Sequence, residues 1–362
     1  MPYQLLLVHT GAFGENYGLY VQHVETLRWL FADDPEWNVV AMDAFHPAFA
    51  DAALTADLVV IGMTAAPEIE SLIRCRRGRG LRTIFELTDN YLGLGVWVAE
   101  HNLLHSPLVR QNLMFHAHLA DAVQVYAPAL AELFRSVNER IAVFDPYVPA
   151  SRELPAKAEG QFVFGWGGTR SHREDLMRIA PAIVEFCARH REAVFSFMGD
   201  AALFAELFGA IPAEQKRWRA YGAYDDYLAF ARELHVGLAP LAPTPFNATR
   251  SDTKVTTYAA CGAVALAEDV PVYRTHASRV RLFGGGMELL AHLEALHADR
   301  DALRDLAAQA HAWVLSERSH EALHEQRARF YRSLVNETPS GVAIDTDDPS
   351  GCGERLAATS GK

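Results

Sequence analysis

Short apolar runs rich in β-branched and aromatic residues alternate along the chain with longer amphipathic stretches, the pattern of a parallel sheet wrapped by helices. In the first half, Gln4–Val8, Asn38–Met42, Leu58–Gly62, Thr83–Leu87, Ala122–Tyr126 and Ile141–Phe144 read as strands. Gly18–Phe31, Ile69–Arg77 and Leu108–Leu119 read as helices between them. Asp145–Gly160, with its prolines and mixed polar residues, has linker chemistry. The pattern then restarts, with strands at Phe162–Gly165, Val194–Met198, Arg219–Tyr221, Val236–Ala239 and Ala263–Ala267. Helices follow at Arg173–His190, Tyr224–Leu234, Lys254–Cys261, Gly286–Ala298 and Asp301–Ser316. The expectation is α/β: two Rossmann-like domains, residues 1–150 and 151–316, facing a central cleft. Within 317–335 the amphipathic stretch Ser319–Leu334 packs against something, and 336–362 has the composition of a disordered tail.

Composition narrows this picture. A chain of 362 residues suits two α/β domains rather than one core. A net charge of -12 gives no general basic face for nucleic acid. Cys75, Cys187, Cys261 and Cys352 show no CxxC spacing and read as reduced thiols in a cytoplasmic protein. The N-terminal apolar run lacks a basic flank and a cleavage site, so it reads as a buried strand. No stretch has the length to span a bilayer.

Such a body serves binding proteins, dehydrogenases and transferases alike, so the loops at strand carboxyl ends must discriminate. Gly11–Gly18 follows the first strand; its glycines, Gly14 among them, admit backbone approach to an anion or simply allow a turn. The spacing is not that of a dinucleotide fingerprint. Phe164–Arg173 again links a strand to a helix. It offers Gly167 and Gly168 for close approach, Thr169 or Ser171 as a cap, and Arg170, His172 and Arg173 for phosphate. In Val236–Arg274 a buried strand runs into a proline-rich loop and a short helix. Arg250, Ser251, Asp252 and Lys254 precede that helix: two cations and a helix N-terminus, suited to a diphosphate.

Here the sequence resembles a known family. VGLAPL, PFN, SDTK, YAACG and DVPVYR are similar to the C-terminal domain of retaining GT-B glycosyltransferases of the GT4 kind, and GWGGTRSHREDL and FMGD fall in that family's order. FELTDNYLG and HLADAVQVYAPAL resemble its acceptor-side domain. The resemblance implies transfer of a sugar from a nucleotide-sugar donor to an acceptor hydroxyl, with retention and without metal or other cofactor. Lys254 and Arg250 would hold the diphosphate, helped by Gly167 and Gly168. Gly199 and Tyr221–Gly222 would flank the base, and Asp89 and Asn90 would face the reacting sugar. Asn247, Thr249, Ser251, Asp252, Thr253 and Thr257 would complete the donor side. The last helix would cross back to brace the N-terminal domain.

One departure matters. The family's two glutamates fall at Thr249 and Thr257, and a threonine cannot offer a bidentate carboxylate to a ribose diol. That keeps a non-catalytic nucleotide-sugar or partner-binding module as an alternative, beside a sugar-nucleotide epimerase. No carboxylate pair suggests a glycosidase. His116 and His118, two apart on a helix, face different ways and do not suggest a metal site. Asp345 and Asp347 mimic a DxD motif by chance within the tail. Arg74, Arg76, Arg77, Arg79 and Arg82 read as a solvated helix end, or as a docking patch for an anionic acceptor or the inner membrane face.

Overall fold

The computed structural model describes residues 1–10, 21–94 and 105–337. The chain forms two compact units. The first joins Met1–Asp145 with the segment beginning at His320, and the second is Pro146–Ser319. Among the described residues no helix is long and apolar enough to cross a membrane.

The first unit holds a six-stranded parallel sheet in the order β2-β1-β3-β4-β5-β6. These strands are β1 Tyr3–His9, β2 Trp37–Asp43, β3 Leu58–Gly62, β4 Arg82–Leu87, β5 Ala122–Val125 and β6 Ile141–Val143. The inner strands β3 to β5 are almost wholly buried, as helix-covered parallel strands must be. The helix His320–Val335 packs in this unit. Tyr331 stacks on Phe31 and donates its hydroxyl to Gln124 Oε1 at 2.8 Å. Asn336 accepts from Tyr3, and Glu337 pairs with Arg140, so these two residues are held by the unit. Residues 338–362, including Asp345 and Asp347, lie outside the described residues.

The second unit repeats the plan as β12-β11-β10-β7-β8-β9, all parallel. Its strands are β7 Phe162–Gly167, β8 Ala193–Met198, β9 Lys216–Arg219, β10 Val236–Ala239, β11 Val264–Glu268 and β12 Arg281–Phe283. From β7 the chain winds outward to β8 and β9, then returns to the other flank through β10 to β12. The strand order therefore reverses between β7 and β10, where open α/β sheets form a crevice at the strand carboxyl ends. A core of Phe162, Phe164, Phe186, Phe195 and Phe197 fills the space between sheet and helices.

Three features correct the pattern reading. The expected strand Arg219–Tyr221 ends at Arg219, because Tyr221 and Gly222 belong to the turn into the Tyr224–Glu233 helix. β12 is a three-residue edge strand, too short to show a period. Cys75 is disulfide-bonded, whereas Cys187 and Cys261 are free and buried, so the four-thiol reading does not hold. Spacing along the chain does not report which cysteines the fold brings near one another.

Candidate active site

The reversal point of the second unit gathers the chemistry. β7 ends at Gly167, and the Thr253–Ala260 helix follows β10. Lys254, in the first turn of that helix, reaches back to donate to the Gly167 carbonyl at 2.6 Å, with its ammonium 5.0 Å from the Trp166 ring centre. The first turn also leaves backbone N–H groups without intrahelical partners, which adds positive potential. Burial pushes the Lys254 ammonium down to about 7, and the Arg250 charge adds to this while Asp175 opposes it.

Arg250 lies beside it, its guanidinium 4.8 Å from the Phe246 ring centre and its Nη2 2.8 Å from His172 Nε2. His172 is buried and holds Asp175 Oδ2 at 2.6 Å through Nδ1. The other oxygen of Asp175 accepts from the Ala242 amide at 2.6 Å and from Asn247 Nδ2 at 2.8 Å. Burial pushes the His172 imidazole down to about 4, against the opposing effect of its hydrogen bond to Asp175. The ring is thus neutral, with its proton on Nδ1 and a lone pair toward Arg250. Arg250, Lys254, Gly167, His172 and Asn247 therefore meet in one cluster.

The other expected residues serve different ends. A side chain at Gly167 would meet Tyr227 at 2.7 Å, and one at Gly168 would meet the Trp166 ring at 2.7 Å. Packing within the unit thus already accounts for both glycines. A side chain at Gly199 would meet the Gly168 carbonyl at 2.6 Å. Thr169 and Ser171 bond to each other and cap no helix. Arg170 pairs with Asp200, and Arg173 turns to Glu206 on the next helix, so neither joins the cluster. Tyr221 is half exposed, and Gly222 packs on the Asp226 side chain. Ser251 and Thr253 bond to each other. Asp252 is buried between His276 and Arg318, at 2.8 and 2.7 Å, and anchors the loop instead of facing a ligand. Thr249 donates to the Phe246 carbonyl and Thr257 to the Thr253 carbonyl.

Asp89 and Asn90 follow β4 in the first unit. Asn90 is buried and accepts from the Gly93 amide at 3.1 Å, capping a short turn of helix. Gly14 lies outside the described residues.

The arginine cluster is not one patch. Arg76 is fully buried and donates to the carbonyls of Ala53, Ala56 and Arg82 and to the Thr83 hydroxyl; burial lowers its guanidinium to about 9. It cannot touch an acceptor or a membrane, which corrects the reading for that residue. Arg82 binds the Leu334 carbonyl and Asp121, while Arg74 and Arg79 are exposed. His116 is buried against the Thr64 carbonyl, and His118 bonds the Val137 carbonyl elsewhere. His190, Glu192 and His297 bring potential ligand atoms within 4.8 Å of one another. Each histidine there already pairs with a glutamate, and Arg189 and Arg300 add positive charge that disfavours a cation.

Sequence reading missed Asp175 altogether, although SHRED places it three residues after His172, one helical turn along. It also missed a buried network in the first unit. There Glu86 receives His23 at 2.9 Å, Tyr126 at 3.0 Å, and Gln124. Only tertiary structure joins those residues.

No protein-family model and no curated protein sequence matches the chain, but solved structures do. Anabaena HepE in complex with UDP-glucose is similar at 13% identity and a TM-score of 0.63, over 91% of this chain and 99% of that one. The pneumococcal O-GlcNAc transferase GtfA with UDP and GlcNAc is similar at 12% identity and a TM-score of 0.59, over 80% of this chain and 60% of that one. A candidate UDP-N-acetylglucosamine 2-epimerase of Listeria monocytogenes follows at 10% identity and a TM-score of 0.55, over 95% of this chain and 100% of that one. With the two six-stranded parallel sheets, these likenesses establish the GT-B fold.

Proposed function

We propose that this protein is a GT4-like glycosyltransferase that moves a sugar, a hexose in the first instance, from a nucleotide diphosphate to an acceptor hydroxyl. The observation that carries the reading is the pairing of Lys254 and Arg250 at a helix N-terminus, beside the carboxyl end of β7, at the strand-order reversal of a GT-B unit. Two cations and a helix dipole are suited to stabilise charge developing on a leaving diphosphate without a metal ion. In this scheme Lys254 leaves the Gly167 carbonyl for a phosphate oxygen, and Arg250 offers the planar fork that phosphate geometry favours. Retention of configuration follows from the family resemblance, with the leaving phosphate receiving the acceptor's proton. The family resemblance assigns the donor side to the second unit and the acceptor side to the first.

The fold likeness to one structure carrying UDP-glucose and another carrying UDP and GlcNAc makes UDP-sugars the donors to try first. A thermal-shift panel of UDP, GDP, dTDP, CMP and ADP with their sugar conjugates tests the reading. A ligand at about 100 times its Kd stabilises the fold by roughly 2.7 kcal/mol. The stabilisation should vanish in Lys254→Ala. Donor affinity and turnover unchanged in that variant would remove the site.

A further inference from the structure

We infer that Asp175 and His172 form a positioning relay that holds the Arg250 guanidinium ready for the donor's diphosphate. The inference rests on the donor site proposed above and adds two residues to it, neither of which touches the ligand.

The geometry is directional. Asp175 is 2% exposed and fixed by three donors: the Ala242 amide at 2.6 Å, Asn247 Nδ2 at 2.8 Å and His172 Nδ1 at 2.6 Å. Asn247 is fixed in turn, donating to the Ala242 carbonyl at 2.9 Å. The carboxylate accepts only, so the His172 proton must sit on Nδ1, and Nε2 is left as an acceptor. At 2.8 Å from that lone pair stands Arg250 Nη2, and Phe246 stacks on the guanidinium face. Each member orders the next: a helix-borne carboxylate sets a tautomer, and the tautomer sets an arginine.

In water a guanidinium gains little from a neutral imidazole, since water accepts its protons as well. The gain appears when a dianion binds. A free arginine side chain loses much of its rotamer entropy when it is immobilised. Ordering it beforehand removes that loss from the binding step. The relay keeps Asp175 one imidazole away from the cation it orients.

Two measurements test this. Nitrogen NMR of His172 in the intact protein should show a neutral ring protonated at Nδ1 throughout the neutral range. An Nε2–H tautomer or an imidazolium would overturn the relay whatever the protein binds. UDP titrations then compare wild type, His172→Ala, Arg250→Ala and the double variant, with thermal unfolding as a control on folding. His172→Ala should weaken UDP binding about tenfold, and should weaken it no further once Arg250 is already alanine. His172→Gln, whose amide can donate to Asp175 and accept from Arg250, should restore most of the loss. Independent, additive losses or no rescue by glutamine would reduce His172 to packing and defeat the relay. UDP binding that ignores both Arg250→Ala and Lys254→Ala would instead defeat the donor site itself.

Discussion

Lys254 is held near neutrality before any ligand arrives, and this makes donor binding pH-dependent in a calculable way. With its ammonium pushed down to about 7, roughly nine-tenths of the free protein carries the charge at about pH 6 and roughly one-tenth at about pH 8. A diphosphate beside it favours the charged form and restores a pKa well above 8. Binding at about pH 8 should therefore take up roughly 0.9 proton, and affinity should fall about tenfold, or about 1.4 kcal/mol, from pH 6 to pH 8. His172, at about 4, does not titrate in this window. UDP-glucose is the probe of choice because its diphosphate has no proton to lose over this range. Calorimetry in two buffers of different ionisation enthalpy counts the protons. Lys254→Arg should bind with a flat profile, since arginine stays charged. Flat affinity and no proton uptake in the wild type would refute the argument. The same shift bears on stability. The folded-state value lies below the unfolded one, so the unfolded chain binds more protons between about 7 and about 10.5, and this residue's contribution rises with pH across that window.

Three further outcomes follow from the packing. Arg76→Met removes the donor shared by the carbonyls of Ala53, Ala56 and Arg82, so urea unfolding of the first unit should lose about 3 kcal/mol; a loss below about 1 would mean those carbonyls find other partners. Gly262 ends the Thr253–Ala260 helix at φ 69°, and Gly262→Ala should cost about 1–2 kcal/mol in the second unit, read as a lowered Tm. Burial alone would raise the Glu86 carboxyl, but His23, with Arg327 and Gln124, holds it below the ordinary value. Its contribution is then present above the unfolded carboxylate pKa and lost as pH falls through the folded one. Glu86→Gln should therefore flatten the acid limb of an unfolding curve, and an unchanged limb would assign acid lability elsewhere.

The legible parts of this chain were those written in local pattern. Buried parallel strands such as Leu58–Gly62 declare themselves as unbroken apolar runs, and the Gly286–Ala298 helix appears with the bounds that its period predicts. Lys254 and Arg250 were legible because cations among turn residues before a helix are unusual on a merely solvated face. What local pattern could not carry was partnership. Arg173 looks as phosphate-ready as Arg250, yet Glu206, distant in sequence, takes it. Arg76 and Arg74 look alike in a basic run, yet helix phase buries one and exposes the other. Asp175 is one acidic residue in a first turn, indistinguishable from Glu174 until the Ala242 loop closes over it.

Thr257 carries the sharpest remaining consequence. It stands where the family resemblance places the carboxylate that grips the ribose, and its side chain is fully buried. Its one hydroxyl proton goes to the Thr253 carbonyl at 2.7 Å, a bond local to the helix. The Thr249 proton goes to the Phe246 carbonyl at 3.0 Å in the same way. Neither residue can replace a bidentate carboxylate on a diol. A hydrogen bond to a charged acceptor contributes about 1.5–3 kcal/mol, roughly 10- to 150-fold in affinity, and that contribution should be missing here. The protein should then bind UDP and 2′-deoxy-UDP within about threefold of each other, with discrimination residing in the base and the diphosphate. Parallel titrations with the two nucleotides decide the matter. A preference for the ribonucleotide above about tenfold would mean that another group holds the ribose, and the two threonines would no longer mark a loosened donor site.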